Sequence, residues 1–380
     1  MKIFYVAAFV GPESPNWFSV GRYRKIDQVL SLLSDLGFSI VGLNIAPVKG
    51  LCTHYKVHDL CFQSFLPLRL IQIAINSFSY FLTSTNWRDK SILWVYNTRT
   101  AEAIATIFAL AVRPSFRLVL QLEDLPFARR ENHGIAGFVD QCFLLLLSWR
   151  ADYIFTVSPS VRSSFAAIAK YKAATPAILP PFLDPHFLNT VVSRAEPFSS
   201  DIINVFYAGS FLPEKGVEDL LTAFRTLSTK KFKLLLAGPA PDDLTIEYQH
   251  SPNIVFLGLI DNSELFQCLA HADVVVNPHR PTSNSDFIFP YKLVELMASG
   301  ALPLTTRVSG AESFGLPADC FFDSASGLAD KLSNAYLIWS QNRSEILSVS
   351  IACRNAYSAQ CVREDLRDAL RTIAPLSPGL

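Results

Sequence analysis

ADVVVNPHRPTSNSDFIFPYKLVELMASGALPLT, Ala272 to Thr305, packs two strands, a loop and a helix into one short stretch. DVVVN, Asp273 to Asn277, is β-branched and predicts a buried strand. A polar loop follows, Pro290 opens a helix, Gly300 closes it, and Leu302 to Thr305 is the next strand. That is a β-loop-α-β unit of a doubly wound α/β sheet, which binds ligands at the carboxyl ends of its strands. Lys292 and Glu295 stand three residues apart, on one face of the first helical turn, where unpaired amides and the macrodipole favour an anion. Lys292 would pair with a phosphate and Glu295 with a vicinal diol such as a ribose. The alternative is a solvated lysine and a glutamate that stabilises its own helix end.

The same grammar recurs on either side. A series begins at Ile203 with strand INVFYAG, loop Ser210 to Gly216, helix Val217 to Leu227 and strand Phe232 to Ala237. Strand Ile254 to Leu257 and helix Asn262 to His271 continue it. Upstream, Lys2 to Val10 is a first buried strand, because GPESPNW behind it offers no signal-peptide cleavage site. A Gly/Pro/Ser loop (Gly11 to Gly21), a helix over Tyr23 to Leu36 and a strand over Ser39 to Asn44 follow. No GxGxxG dinucleotide fingerprint is present. Further strands are expected at Ser91 to Tyr96, Arg117 to Leu122 and Tyr153 to Val157; Ser158 and Pro159 then cap and begin a helix. Pro176 to Pro185, with four prolines, reads as the end of a domain and a linker. The last helices are expected at Ala329 to Trp339 and Tyr357 to Ile373.

At 380 residues, with 50 % hydrophobic and 17 % charged side chains, the chain suits two well-filled cores and not disorder. Seven cysteines without a CxxC pair point to a reducing cytoplasm and no structural zinc. Residues 1–190 hold 18 Lys+Arg against 12 Asp+Glu and residues 191–380 hold 15 against 21, so the halves carry +6 and −6. A basic first half fits an anionic membrane surface or acceptor, or is a solvated arginine excess; scattered charges without a motif disfavour nucleic acid. Leu60 to Leu82 and Phe138 to Trp149 are apolar and aromatic, open to reading as buried helices or as helices docked on lipid.

AGSFLPEKGVEDLL, Ala208 to Leu221, is a second strand-to-helix loop, with Gly209 and Ser210 for close backbone approach and Lys215 as a mobile cation. FYAGSFLPEKGVEDLL, LLLAGPAP, NIVFLGLIDNSEL, ADVVVNP and FPYKLVELMASGALPL together resemble the donor domain of family-four GT-B glycosyltransferases, and LVLQLEDLP and ADYIFTVSPSV extend a weaker likeness through the first half. The resemblance implies two Rossmann-like domains facing across a cleft: an acceptor domain over 1–184, a nucleotide-sugar domain over 185–355 and a C-terminal helix over 356–380 returning to the first domain. By that resemblance Lys215 and Lys292 hold a diphosphate and Glu295 a ribose. Gly258, Leu259 and Ile260 line the base, and Arg280, Asp286, Phe289, Pro290 and Tyr291 complete the donor site. No metal is implied, since no DxD motif is present, and no cofactor beyond the nucleotide-sugar substrate.

The chain departs from that pattern in three places. Phe287 stands where the family carries the first glutamate of its Glu-x7-Glu pair, with Asp286 adjacent, and Ser210 stands where an arginine is common. Glu123 and Asp124 replace a frequent histidine. One of these carboxylates would position or deprotonate the acceptor, or else Asp124 caps a turn and Glu123 pairs with Arg129 or Arg130. The expected protein is a cytoplasmic, membrane-peripheral, retaining hexosyltransferase acting on a carbohydrate or lipid-linked acceptor in bacterial surface polysaccharide synthesis. A catalytically silent glycan-binding or scaffold relative and a sugar-nucleotide epimerase are the alternatives.

Overall fold

A computed structural model describes residues 1–9, 20–46, 55–61, 65–84, 90–126, 134–169, 176–191, 197–198, 200–281, 291–308 and 310–373. The chain divides into two compact units, one of residues 1–181, 287–289 and 362–380, the other of residues 182–286 and 290–361.

The first unit is built on seven strands: β1 (Lys2–Ala7), β2 (Ser39–Asn44), β3 (Lys56–Asp59), β4 (Ser91–Tyr96), β5 (Arg117–Leu122), β6 (Tyr153–Thr156) and β7 (Ala177–Ile178). They form one sheet in the order β3-β2-β1-β4-β5-β6-β7, every pairing parallel. KIFYVA and SILWVY are apolar nearly throughout because a parallel sheet is covered on both faces. Right-handed crossovers place α2 (Leu66–Ser84), α3 (Thr100–Val112), α4 (Ile135–Arg150) and α5 (Pro159–Ile168) on one face and α1 (Val20–Asp35) on the other. Ile73, Phe81, Ala109, Leu144 and Phe165 from the first four accordingly share one core with Phe4, Val95 and Leu120 of the sheet.

The second unit holds β8 (Ile203–Ala208), β9 (Phe232–Ala237), β10 (Ile254–Gly258), β11 (Val274–Asn277) and β12 (Leu302–Thr305), all parallel, in the order β10-β9-β8-β11-β12. Its helices are α6 (Pro185–Thr190), α7 (Val217–Phe224), α8 (Asp242–Tyr248), α9 (Asn262–His271), α10 (Tyr291–Ala298), α11 (Ala325–Ser333) and α12 (Ala335–Ala356). The amphipathic α13 (Ala359–Ile373) then buries Val362, Leu366 and Leu370 and pairs Arg363 with Asp35 of α1 at 2.8 Å, so residues from 362 onward belong to the first unit.

Two expectations are corrected. The proline-rich stretch is not wholly linker: Ala177 and Ile178 pair with β6, and Leu179 N donates to Thr156 O at 2.9 Å, closing the sheet. The helix expected over Ala329 to Trp339 breaks at Asn334, whose N–H bonds back to Asp330 O and Leu332 O and ends α11 before α12 starts.

Candidate functional site

In the second unit the strand order reverses between β8 and β11. A sheet of this kind opens a crevice there, at the carboxyl ends of the strands. The loop after β8 and the segment after β11 meet at that point. Gly216, at φ +67° between a short 3-10 turn (Pro213–Lys215) and α7, would place a Cβ 1.9 Å from Pro278 O, so no side chain fits. Arg280 grips the same turn: Nε and Nη2 donate to Asp219 at 2.7 and 2.9 Å, Nη2 to Glu218 at 3.2 Å and Nη1 to Pro213 O at 3.1 Å, while its N–H donates to Glu214 O at 2.9 Å.

That grip fixes Lys215, a half-buried cation whose pKa burial lowers against the opposing pull of Glu214. His279 lies in the same field. Burial first, and then the Lys215 charge, press its imidazole down to about 4, so it is neutral at ordinary pH. The Thr306 hydroxyl donates to His279 O, and Asn277 Nδ2 donates to Thr305 Oγ1 at 3.0 Å, which stitches the end of β11 to β12.

Glycines let the neighbouring strand ends approach. A Cβ on Gly209 would sit 2.3 Å from the Tyr207 hydroxyl, which donates to Ser210 O at 2.7 Å, and one on Gly238 would sit 1.8 Å from Gly209 O. Gly238 N donates to Gly258 O at 2.8 Å. Gly258 has φ +68° with nothing within 4 Å of a built Cβ, so backbone conformation and not crowding requires the glycine. Beyond it Leu259 is exposed and Ile260 half-buried. On α10, Lys292 is exposed while Glu295, three residues on, is 3 % exposed. At the other end of α10, Ala298 O accepts from Ser350 Oγ at 3.1 Å and Arg354 Nε at 2.8 Å, a cation on a helix carboxyl end.

In the first unit the reversal lies between β1 and β4. There Asn97, at φ +62°, accepts the Glu123 N–H on Oδ1 at 2.9 Å. Glu123 Oε1 accepts from Gln121 Nε2 at 2.6 Å, and Gln121 Oε1 accepts from Tyr5 OH at 2.9 Å and Trp94 Nε1 at 2.8 Å. Lys25, 2 % exposed, stands 4.0 Å from Glu123 and donates to Leu179 O at 3.0 Å and Pro180 O at 2.5 Å. Burial brings its pKa down to about 8, opposed by Glu123. Glu123 is thus held in a fixed polar chain; Asp124, beside it, is half-buried.

Residues 203–336 match the family model described as glycosyl transferases group 1. That stretch of the second unit is similar to a group 1 glycosyltransferase domain. Over nearly its full length the chain is similar to sucrose-phosphate synthase from Thermosynechococcus elongatus, at TM-score 0.75 and 15 % identity over 99 % of this chain and 100 % of that one. It is also similar to HepE from Anabaena in complex with UDP (TM-score 0.71, 15 % identity, 98 % and 100 % covered) and to a glycosyltransferase from Rickettsia africae ESF-5 (0.71, 13 %, 98 % and 98 %). No curated protein sequence matches it. The fold is GT-B.

In the second unit the expected residues Gly209, Ser210 and Lys215 gather where β8 and β11 end, and Gly258 joins them through Gly238. Arg280 shapes the Lys215 turn with four of its five side-chain N–H donors, on Asp219, Glu218 and Pro213 O, and keeps one donor on Nη1. Asp286, Phe287, Phe289, Pro290, the Tyr291 side chain and Arg129 and Arg130 lie outside the described residues. Sequence reasoning missed His279, Lys25, Asn97 and Gln121. The PHR tripeptide following DVVVN was a usable signal for the first; nothing local marks the other three.

Proposed function

We propose that the chain is a retaining glycosyltransferase that moves a hexose from a nucleoside diphosphate sugar to a carbohydrate or lipid-linked acceptor, without a metal. Its place is bacterial surface polysaccharide synthesis, in the cytoplasm at the inner face of the plasma membrane. The carrying observation is the Lys215 turn, clamped by Arg280 and Gly216 at the strand-order reversal of a group 1 domain. Glycosyl transfer concentrates negative charge on the departing diphosphate, and a pre-positioned cation stabilises that charge more than it stabilises the bound donor. Lys215 and Lys292 supply this charge, together with the amides at the start of α10. Glu295 takes the ribose, and the backbone of Gly258 to Ile260 takes the base. That the Anabaena HepE structure holds UDP supports a nucleoside diphosphate as leaving group. Glu123 and Asp124 serve the acceptor hydroxyl, Glu123 being held in place by Gln121 and Lys25.

Calorimetric titration with UDP, GDP and ADP tests the donor site. One of them binds the wild type, and Lys215→Ala weakens it about 10- to 100-fold, the worth of a charge-assisted hydrogen bond. A wild-type protein that binds none of them and hydrolyses no nucleotide sugar overturns the reading. Undiminished transfer in EDTA checks the metal-free mechanism.

A further inference from the structure

Two helices of the first unit are apolar on the side turned away from the sheet. On α2 the buried side is set by Ile73 and Phe81, yet Leu68, Ile71, Ile75, Phe78 and Leu82, spaced three and four apart, are each 46–61 % exposed. On α4, Leu144 and Leu147 enter the core while Ile135, Phe138, Leu146 and Trp149 are exposed by 52 % or more. The helix between them, α3, adds Phe108 and has no exposed charge. All three run antiparallel to the strands on the same face of the sheet, so the stripes lie side by side as one patch. A soluble monomer rarely leaves so broad an apolar face uncovered.

The charges around the patch say what covers it. The three helices contain two acidic residues, Glu102 and Asp140, and both are buried. Their exposed and half-exposed charges are arginines: Arg69 at the start of α2 and Arg150 at the end of α4, where Arg117 and Arg150 share the single carboxylate of Asp152. A second copy of this chain would set one cationic rim against another, whereas an anionic lipid surface complements it. The aromatic and leucine-type side chains along the stripes suit the headgroup boundary. Among the described residues no helix is long and apolar enough to cross a membrane, and the sheet-facing sides of α2 and α4 are already spent on the core.

We infer that the α2–α3–α4 face is a docking surface for an anionic bilayer, on which the two outer helices lie flat. This deepens the proposed placement at a membrane by naming the face and the lipid charge. It is tested without donor or acceptor, so its failure leaves the transfer reaction standing. Full-length protein is floated with vesicles of phosphatidylcholine, alone or with about a third phosphatidylglycerol. Wild type floats with the anionic vesicles, and raising the salt releases part of it. Ile75→Glu with Phe138→Glu, at exposed positions, leaves the melting temperature unchanged and lowers the floated fraction at least about 10-fold. Wild type that stays in the soluble fraction, floats equally with neutral vesicles, or is matched by the double variant overturns the inference. So does a wild-type dimer that the double variant splits while neither protein floats, since a second copy would then own the face.

Discussion

His279 shows how one side chain can report on a site the sequence only outlines. Its imidazole is neutral because burial and the neighbouring Lys215 both oppose the proton, Glu214 only partly offsetting them. Below pH 6.5 the unfolded chain takes up a proton that the folded chain refuses down to about pH 4. The unfolded state then binds more protons, so stability falls as pH drops through that window, by at most about 3 kcal/mol from this residue. Urea titrations of wild type and His279→Gln between pH 7 and 4 check it: the variant has the shallower slope, and equal slopes would remove the neutral histidine. Lys25 makes the complementary point about legibility. In VGRYRKIDQVL it looks like any helical lysine, but its ammonium is buried against carbonyls 154 and 155 residues further on. No local pattern encodes a partner at that distance.

Elements were easier to read than residues, for reasons that differ from one element to the next. Strands such as SILWVY and Leu302 to Thr305 were placed to the residue because burial on both faces makes them unbroken apolar runs. The turn before α7 was visible as a Lys-Gly pair, yet common surface turns share that signature. Only the structure shows that Gly216 is required twice, for its φ of +67° and for the 1.9 Å approach to Pro278 O. Gly216→Ala should therefore cost at least about 2 kcal/mol in denaturant unfolding and weaken diphosphate binding together with it. Alanine with wild-type stability would mean that the turn relaxes freely. The helices α2 and α4 are ambiguous because large apolar side chains lie on both the sheet-facing and the outer side of each, and sequence gives little reason to choose which side faces the sheet.

At the scale of the molecule, the two α/β units and the return of the last helix followed from repeated strand-loop-helix grammar and from resemblance. The arrangement of Arg280 on Asp219 did not, because 61 residues separate the pair. The helix α13 gives this scale its own prediction. Val362, Leu366 and Leu370 are fully buried, and leaving three such side chains exposed forfeits about 5–9 kcal/mol. A chain ending at Cys361 should lower the calorimetric transition of the first unit and spare that of the second; unchanged transitions would make α13 dispensable. The same division bears on synthesis. The second unit draws its described residues from one continuous span, whereas the first waits for residues 362–373. The half of the protein that leaves the ribosome first is therefore the half completed last, and until then the apolar surface that Val362, Leu366 and Leu370 will cover stays open to chaperones.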